Sequence, residues 1–93
     1  MIKSFADKET EKIFNLAFSR KLPNLVQIGA RKKLIILDAA EVLLDLRIPP
    51  GNHLEKLDGE REGHYSIRIN DQWRLCFVWK NDNAYDVEIV DYH

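Results

Sequence analysis

The last three residues, Asp91, Tyr92 and His93, all carry side chains that can give up or accept a proton. They follow directly on residues 85–90, whose alternating apolar and polar side chains predict a β-strand. Histidine titrates near neutral pH, so His93 can act as an acid or as a base. This strand end is therefore a candidate site for acid-base chemistry, although polar residues also close many ordinary strands.

Two arginines are predicted to lie beside this strand end. Three alternating stretches within 65–90 predict antiparallel strands, and a register that keeps odd-numbered apolar residues on one face puts Arg68 opposite Arg74. Arg74 then lies diagonal to Tyr92. Like charges that face each other destabilise a sheet. Their pairing indicates either a phosphate held between two guanidinium groups, or an ordinary surface network in which Glu88 offsets the charge.

These side chains match the needs of RNA cleavage. Attack of a 2′-hydroxyl on its phosphate requires a base, an acid for the leaving oxygen, and positive charge at the phosphate. His93 can perform either proton transfer, and Asp91 can orient it or act as the base. Tyr92 can donate a proton or stack on a nucleobase, and Arg74 can stabilise the phosphate. No step requires a metal or a cofactor, and the histidines and the single cysteine show no metal-ligand spacing.

Composition indicates a small globular protein. A chain of 93 residues with 45% hydrophobic and 31% charged residues predicts one domain, spanning 1–93. A net charge of −1 argues against a strongly basic, nonspecific nucleic-acid binder. The apolar runs are too short to span a bilayer and no leader opens the chain, so we expect a cytoplasmic protein with no membrane contact.

The positions of caps and prolines predict the remaining elements. Residues 1–5 predict a short first strand, and Asp7 predicts the N-cap of a helix that ends near Lys21. Pro23 predicts the start of a second helix that reaches about Ala40, before a Pro-Pro connector. We therefore expect an α+β fold, with two N-terminal helices packed on one face of a twisted, mainly antiparallel sheet.

The same alternation predicts the strand register in detail. A three-residue loop at 70–72 joins the first hairpin, and a loop at 80–84 joins the second. The second loop places Trp79 opposite Tyr85. Cys76 has no second cysteine to pair with, and its place within a strand predicts a small buried filler.

Charge is unevenly distributed along the chain. Residues 13–37 contain five basic side chains and no acidic one, whereas residues 81–93 contain four acidic side chains and no lysine or arginine. The stretch 34–37 is apolar on more than one side of its helix. This pattern is typical of a solvated face, and it also fits a surface that contacts RNA phosphates or an acidic partner.

Several short stretches carry a resemblance to a known family: residues 1–5, Arg61-Glu62-Gly63, Ser66-Ile67, Trp73-Arg74 and Asp91-Tyr92-His93. Over essentially its whole length the chain resembles HigB-type toxins of the RelE superfamily, the plasmid maintenance killer group. The resemblance implies a RelE-like microbial ribonuclease fold, with two helices on one side of the sheet and the RNA site on the opposite, concave face.

The resemblance also implies an activity and partners. Such toxins are ribosome-dependent endoribonucleases that cut mRNA in the A site without a metal, and a cognate HigA-type helix-turn-helix antitoxin silences them. We expect the free toxin to be monomeric and the complex with antitoxin to be hetero-oligomeric. The residues that match the family's catalytic set are Arg74, Asp91, Tyr92 and His93.

A second set of residues is expected to contact RNA. Arg61 matches a basic position implicated in RNA contact. Some relatives carry a histidine and a lysine before it, at slots where this chain has Glu55 and Asp58, with His53 and Lys56 close by. Many relatives are also strongly basic and this chain is not, which implies a weaker grip on ribosomal RNA. The expected RNA-binding residues are Arg61, Arg68, Lys56 and His53.

Two other classes of function are compatible with the residues. A non-catalytic interaction protein would bind a protein partner through residues 34–37 and the basic cluster Arg31, Lys32 and Lys33. Charge reversal in that cluster would then destroy activity, while Arg74→Ala would not. A small metal-dependent enzyme would lose its activity to a chelator.

Overall fold

The computed structural model of the chain describes residues 1–57 and 63–92. Its elements are α1 (Lys8–Phe14), α2 (Asn24–Ala39), two 3₁₀ helices (Leu43–Arg47 and Pro50–Asn52), β1 (Glu55–Lys56), β2 (His64–Arg68), β3 (Trp73–Lys80) and β4 (Asn83–Asp91). The four strands form one antiparallel sheet in the order β1-β2-β3-β4. The predicted α+β class is therefore confirmed. Within the described residues, no helix has the length and apolar character needed to cross a bilayer.

The core lies between α2 and one face of the sheet. Side chains spaced by four and three residues along α2 lie on the same face of the helix. They pack against the odd-numbered residues of the strands. Full burial of a large apolar side chain contributes about 1.5–3 kcal/mol, so this layer supplies much of the driving force for folding. Its members are Ala30, Leu34 and Leu37 on the helix and Ile67, Leu75, Phe77 and Val87 on the sheet.

The first helix begins where the sequence predicts and ends earlier. Asp7 caps it by accepting a hydrogen bond from the Thr10 N–H at 2.7 Å. The helix ends at Phe14, not near Lys21, because its last turn closes in a Schellman motif. In that motif the N–H groups of residues 16 and 17 donate to carbonyls of the last helical turn, at 3.2 and 2.8 Å.

Helix α1 also holds the last strand. The Thr10 hydroxyl, which is buried, accepts a hydrogen bond from the Ile89 N–H at 3.1 Å. The same hydroxyl donates to the Asp7 carboxylate at 3.1 Å. The N-cap and the strand that leads to Tyr92 therefore share one hydrogen-bonded side chain.

The predicted first strand is present only as two isolated parallel bridges, Ile2 to Ala84 and Phe5 to Val87. Between them, Asp86 of β4 adopts a left-handed conformation with φ of 50° and donates its N–H to the Ser4 hydroxyl. This irregularity in β4 interrupts regular pairing, so the segment 1–5 does not form a continuous strand.

The β3-β4 hairpin corrects one predicted pair. Trp79 pairs with Ala84 and not with Tyr85, because the turn contains only Asn81 and Asp82, with φ values of 52° and 58°. Positive φ at both positions is the signature of a type I′ turn. The irregularity at Asp86 then adds one residue to β4 and restores the predicted register. The pairs confirmed beyond it are Leu75 with Ile89 and Arg74 with Val90.

Candidate active site on the open sheet face

The sheet face turned away from the helices carries the candidate site, and we call it the open face. The register confirms that Arg68 lies directly opposite Arg74 and that Cys76 lies opposite Glu88. Arg74 is therefore central, between Arg68 of β2 and Val90 of β4. The open face comprises Ser66, Arg68, Arg74, Cys76, Glu88 and Val90.

The Arg74 guanidinium is held by neighbouring oxygen atoms. Its Nε donates to the Ser66 hydroxyl at 2.8 Å. Its Nη2 donates to the His53 carbonyl at 2.5 Å and to the Ser66 carbonyl at 3.3 Å. Nη1 lies 3.9 Å from the Glu55 carboxylate, and the side chain is only 12% exposed. Arg74 therefore has one defined orientation before any ligand arrives.

The loop that supplies the His53 carbonyl is anchored by the side chain of Asn52. Asn52 is fully buried, and its Nδ2 donates to the carbonyls of Leu46 and Ile48 at 3.1 and 3.2 Å. Its Oδ1 accepts a hydrogen bond from Lys33 Nζ at 2.5 Å. The next residue, His53, has a left-handed backbone with φ of 43°. Asn52 thus fixes the backbone that receives Arg74.

Lys33 belongs to this anchor and not to an exposed basic surface. Partial burial lowers the pKa of Lys33 from its usual range, and the nearby positive charge of Arg68 lowers it further. The basic run predicted from sequence is therefore divided. Arg31 and Lys32 are exposed on the outside of α2, whereas Lys33 turns toward Asn52.

The two facing arginines have separate partners. Arg68 forms an ion pair with the carboxylate of Asp71, which is itself exposed. Arg74 is bonded to Ser66 and to the His53 carbonyl. Among the described residues, the carboxylate that forms an ion pair with Arg74 is that of Glu55 in β1, while Glu88, the predicted neutralising residue, pairs with Cys76. The Asp71 carboxylate therefore offsets the repulsion at Arg68, while neutral acceptors orient Arg74.

The chain end lies at the edge of the open face. Asp91 pairs with Trp73 and accepts a hydrogen bond from Gln72 Nε2 at 3.1 Å. The N–H of Tyr92 donates to the Gln72 carbonyl at 2.6 Å, which continues the pairing past the strand. The Tyr92 hydroxyl lies 3.8 Å from Cys76 Sγ, so the exposed ring extends over the open face.

Not every predicted site residue joins this cluster. Arg61 and His93 lie outside the described residues. His53 contributes its backbone carbonyl, and its side chain is exposed. Lys56 pairs with Tyr65, whereas its neighbour Glu55 pairs with Ser66. Because successive side chains of a strand point to opposite faces, Lys56 projects from the helix side of the sheet.

Two contributors to the site were not predicted. Ser66 lies opposite Cys76 and so diagonal to Arg74 in the predicted register, and a serine hydroxyl at that position was a signal that the sequence contained. Asn52 gave no such signal in the sequence, because it anchors the loop through hydrogen bonds to backbone carbonyls. Within 1–57 and 63–92, no group of three or more His, Cys, Asp and Glu side chains has an arrangement that could hold a metal ion.

Known proteins are similar to this chain in sequence and in fold. The family model described as the RelE-like toxin of type II toxin-antitoxin system HigB matches residues 3–93. Toxin HigB-1 of Vibrio cholerae is 44% identical over 80 residues, covering 85% of this chain and 84% of the relative. Endoribonuclease HigB of Proteus vulgaris is 31% identical over 93 residues, covering 100% of both chains.

A solved structure supports the fold independently of close sequence identity. The YoeB-YefM complex from Staphylococcus aureus contains a chain that matches with a TM-score of 0.62 at 16% identity, covering 100% of this chain and 98% of that one. With a family model over nearly its entire length and two relatives above 30% identity, this chain belongs to the HigB family of RelE-like toxins of type II toxin-antitoxin systems.

Proposed function

We propose that this toxin is an endoribonuclease that cleaves mRNA in the ribosomal A site without a metal ion and so arrests translation and growth. The name of the Proteus vulgaris relative, which aligns over its full length, supports ribonuclease activity. The geometry of Arg74 is the observation that carries the proposal.

Arg74 is suited to stabilise a phosphate in its transition state. Its shortest hydrogen bonds go to neutral oxygens, the Ser66 hydroxyl and the His53 carbonyl, so its positive charge is not cancelled by them. Within 1–57 and 63–92, the contact of Nη1 is the one with the Glu55 carboxylate at 3.9 Å, which is beyond hydrogen-bond distance and leaves its donors for a ligand. A donor fixed in place before the reaction stabilises developing charge without reorganisation, which is the larger part of many rate enhancements.

The proton transfers fall to the chain end in this proposal. A base takes the proton of the 2′-hydroxyl as its oxygen attacks the phosphorus, and an acid protonates the departing 5′-oxygen. Asp91, Tyr92 and His93 are the candidates for these two tasks. Tyr92 has a second possible role, because its exposed ring over the open face can stack on a nucleobase.

Other basic residues position the RNA. Arg68 lies directly beside Arg74 and its side chain is 36% exposed, so it can exchange Asp71 for a phosphate. We propose that Arg61 contacts the RNA backbone as well, and that the exposed side chain of His53 contributes at the rim. Lys56 lies on the edge strand β1, and we propose that its exposed side chain reaches the RNA around that edge. The partner that silences the toxin is a HigA-type helix-turn-helix antitoxin, and both act in the cytoplasm.

The proposal is tested by mapping mRNA ends on ribosomes. Purified toxin, dialysed against a chelator beforehand, is added to ribosomes that carry a defined mRNA, and the new 5′ ends are located by primer extension. We expect ends within the A-site codon, none on the same RNA without ribosomes, and no loss of rate after dialysis. Cleavage of free RNA at the same sites would contradict ribosome dependence, and loss of activity on dialysis would contradict the metal-free mechanism.

Tyr92→Phe separates the two roles of that residue. It keeps the ring and removes the hydroxyl, so a rate loss of about 100-fold or more indicates proton transfer, whereas a wild-type rate indicates stacking.

Growth arrest in cells with unchanged mRNA ends would favour the non-catalytic interaction protein instead.

A further inference from the structure

A groove with a volume of about 590 Å³ lies between the end of α1 and the outward face of α2. Leu16 and Phe18 form one wall, and they are 66% and 65% exposed. Ile28 and Ile35, which are 60% and 53% exposed, form the other wall on α2. A contiguous exposed group of large apolar side chains is uncommon on a monomer and marks an interaction site.

Leu16 is held in a conformation that its side chain disfavours. It occupies the position after the helix C-cap with φ of 70°, which glycine normally fills. A left-handed backbone is strained for a residue with a Cβ, because the Cβ crowds the following carbonyl oxygen. Leu16 remains about two-thirds exposed, so burial within this chain does not offset that strain fully. The presence of leucine where glycine would be less strained is explained if a partner buries the Leu16 side chain.

The charge of the groove specifies the chemistry of that partner. Arg31 and Lys32 line it on α2, between the two isoleucines, and both are exposed. Residues 13–37 contain no acidic side chain to neutralise them within this segment. The spacing of 28, 31, 32 and 35 places all four on one side of a helix. The surface therefore presents apolar side chains together with two cations.

We propose that this α1-α2 groove binds an amphipathic segment of the antitoxin, whose apolar side chains contact Leu16, Phe18 and Ile35 and whose acidic side chains pair with Arg31 and Lys32. The mode is that of a peptide with apolar anchors seated in a hydrophobic groove. The identification of the partner as an antitoxin rests on the function proposed above. The groove lies on the helix layer, while Arg74 lies on the far face of the sheet.

Binding to purified variants tests the proposal. The probe is the purified product of the small open reading frame next to this gene, and its Kd is measured by calorimetry for the wild type, Leu16→Gly, Phe18→Ser and the double variant Arg31→Glu with Lys32→Glu. Ile48→Ser is the matched control, because Ile48 is an apolar residue that is also largely exposed, at 75%, and does not line the groove.

We expect each groove variant to weaken binding by about 10-fold or more, because each change removes an anchor at the centre of the interface. Ile48→Ser keeps the wild-type Kd. The double charge reversal also reduces the dependence of Kd on salt. Wild-type affinity in all three groove variants, or no binding of the probe to the wild type, would overturn the proposal.

Two further outcomes separate this inference from the proposed function. If the toxin alone forms dimers that Leu16→Gly abolishes, then a second copy of this chain occupies the groove and the proposal is wrong. If the groove variants lose binding while the wild type fails to cleave mRNA on ribosomes, the docking surface stands and the ribonuclease proposal fails.

Discussion

The open face and the α1-α2 groove differ in how far each is complete in the isolated chain. On the open face, Arg74 is bonded to Ser66 and to the His53 carbonyl, and it is nearly buried. In the groove, Leu16 and Phe18 are both about two-thirds exposed. One surface is organised around polar contacts within the chain, and the other leaves apolar surface for contacts from outside.

This difference follows from what each surface has to do. A catalytic group accelerates a reaction only if it already points to where charge develops, so its orientation must be fixed by its own chain. A docking surface gains its free energy when apolar area leaves water on binding, so that area must stay exposed until then. Substitutions at the two surfaces should therefore affect different measurements.

The largest effect is expected from Arg74→Lys. Lysine keeps the charge but lacks the fork that bonds Ser66 and the His53 carbonyl, so the cation loses its fixed position. We expect cleavage of ribosome-bound mRNA to slow by about 100-fold or more, as for loss of a single transition-state donor. Arg47→Lys, at an exposed position before the sheet, is the control and keeps the wild-type rate. A wild-type rate in Arg74→Lys would remove Arg74 from the mechanism.

Asn52→Ala tests whether the organisation of the open face depends on the anchor beneath it. The substitution leaves the carbonyls of Leu46 and Ile48 and the Lys33 ammonium without their partner. We expect the free energy of unfolding, measured by urea denaturation, to fall by about 1–3 kcal/mol. Asn15→Ala, at an exposed position, should change it by less than about 0.5 kcal/mol. Equal effects in the two variants would contradict the anchor.

Leu16→Gly tests the strain in the groove. Glycine adopts positive φ without steric cost, so we expect the free energy of unfolding to rise by about 0.5–1 kcal/mol in the free toxin. Leu25→Gly is the comparison, because Leu25 is exposed within α2 at ordinary helical geometry. There glycine should lower stability, by up to about 1 kcal/mol. A loss of stability in Leu16→Gly would mean that Leu16 serves the fold.

The smallest effect is expected from Arg68→Gln. Among the residues that the structure describes, Arg68 forms its ion pair with the exposed Asp71, so stability should change by less than about 0.5 kcal/mol. If Arg68 contacts a phosphate, the slope of log Kd for ribosome binding against log salt concentration falls by about 0.7. An unchanged slope would place Arg68 outside the RNA contact.

The sheet was largely predictable because its signal is periodic. Alternation alone gave the buried face with Ile67 and Leu75, and it gave the Arg68-Arg74 pair on the other face. A one-residue shift in strand pairing would have exposed every apolar side chain to solvent, so few registers were possible. Two local features of β4, the type I′ turn and the left-handed Asp86, were not predicted. Their effects on register cancel before Val90, so the predicted site was preserved.

The features that were missed depend on single residues in unusual conformations. Leucine rarely adopts a left-handed backbone, so the sequence predicted that α1 continues past Leu16. Phe18 fits the helical spacing of a core residue, yet the early helix end leaves it exposed. Asn52 bonds to backbone carbonyls whose positions are set only by the folded loop. The groove and the anchor of Arg74 therefore required the structure.

The separation of a cutting surface from a docking surface is tested most directly by titrating the cleavage reaction. Wild-type toxin and Leu16→Gly are each added to ribosomes carrying a defined mRNA, and the product of the adjacent reading frame is titrated in while the initial rate is measured. We expect the two proteins to cleave at equal rates without the inhibitor. The inhibitor concentration that halves the rate should be about 10-fold or more higher for Leu16→Gly than for the wild type. A slower uninhibited rate in Leu16→Gly, or the same inhibition curve for both proteins, would contradict the separation.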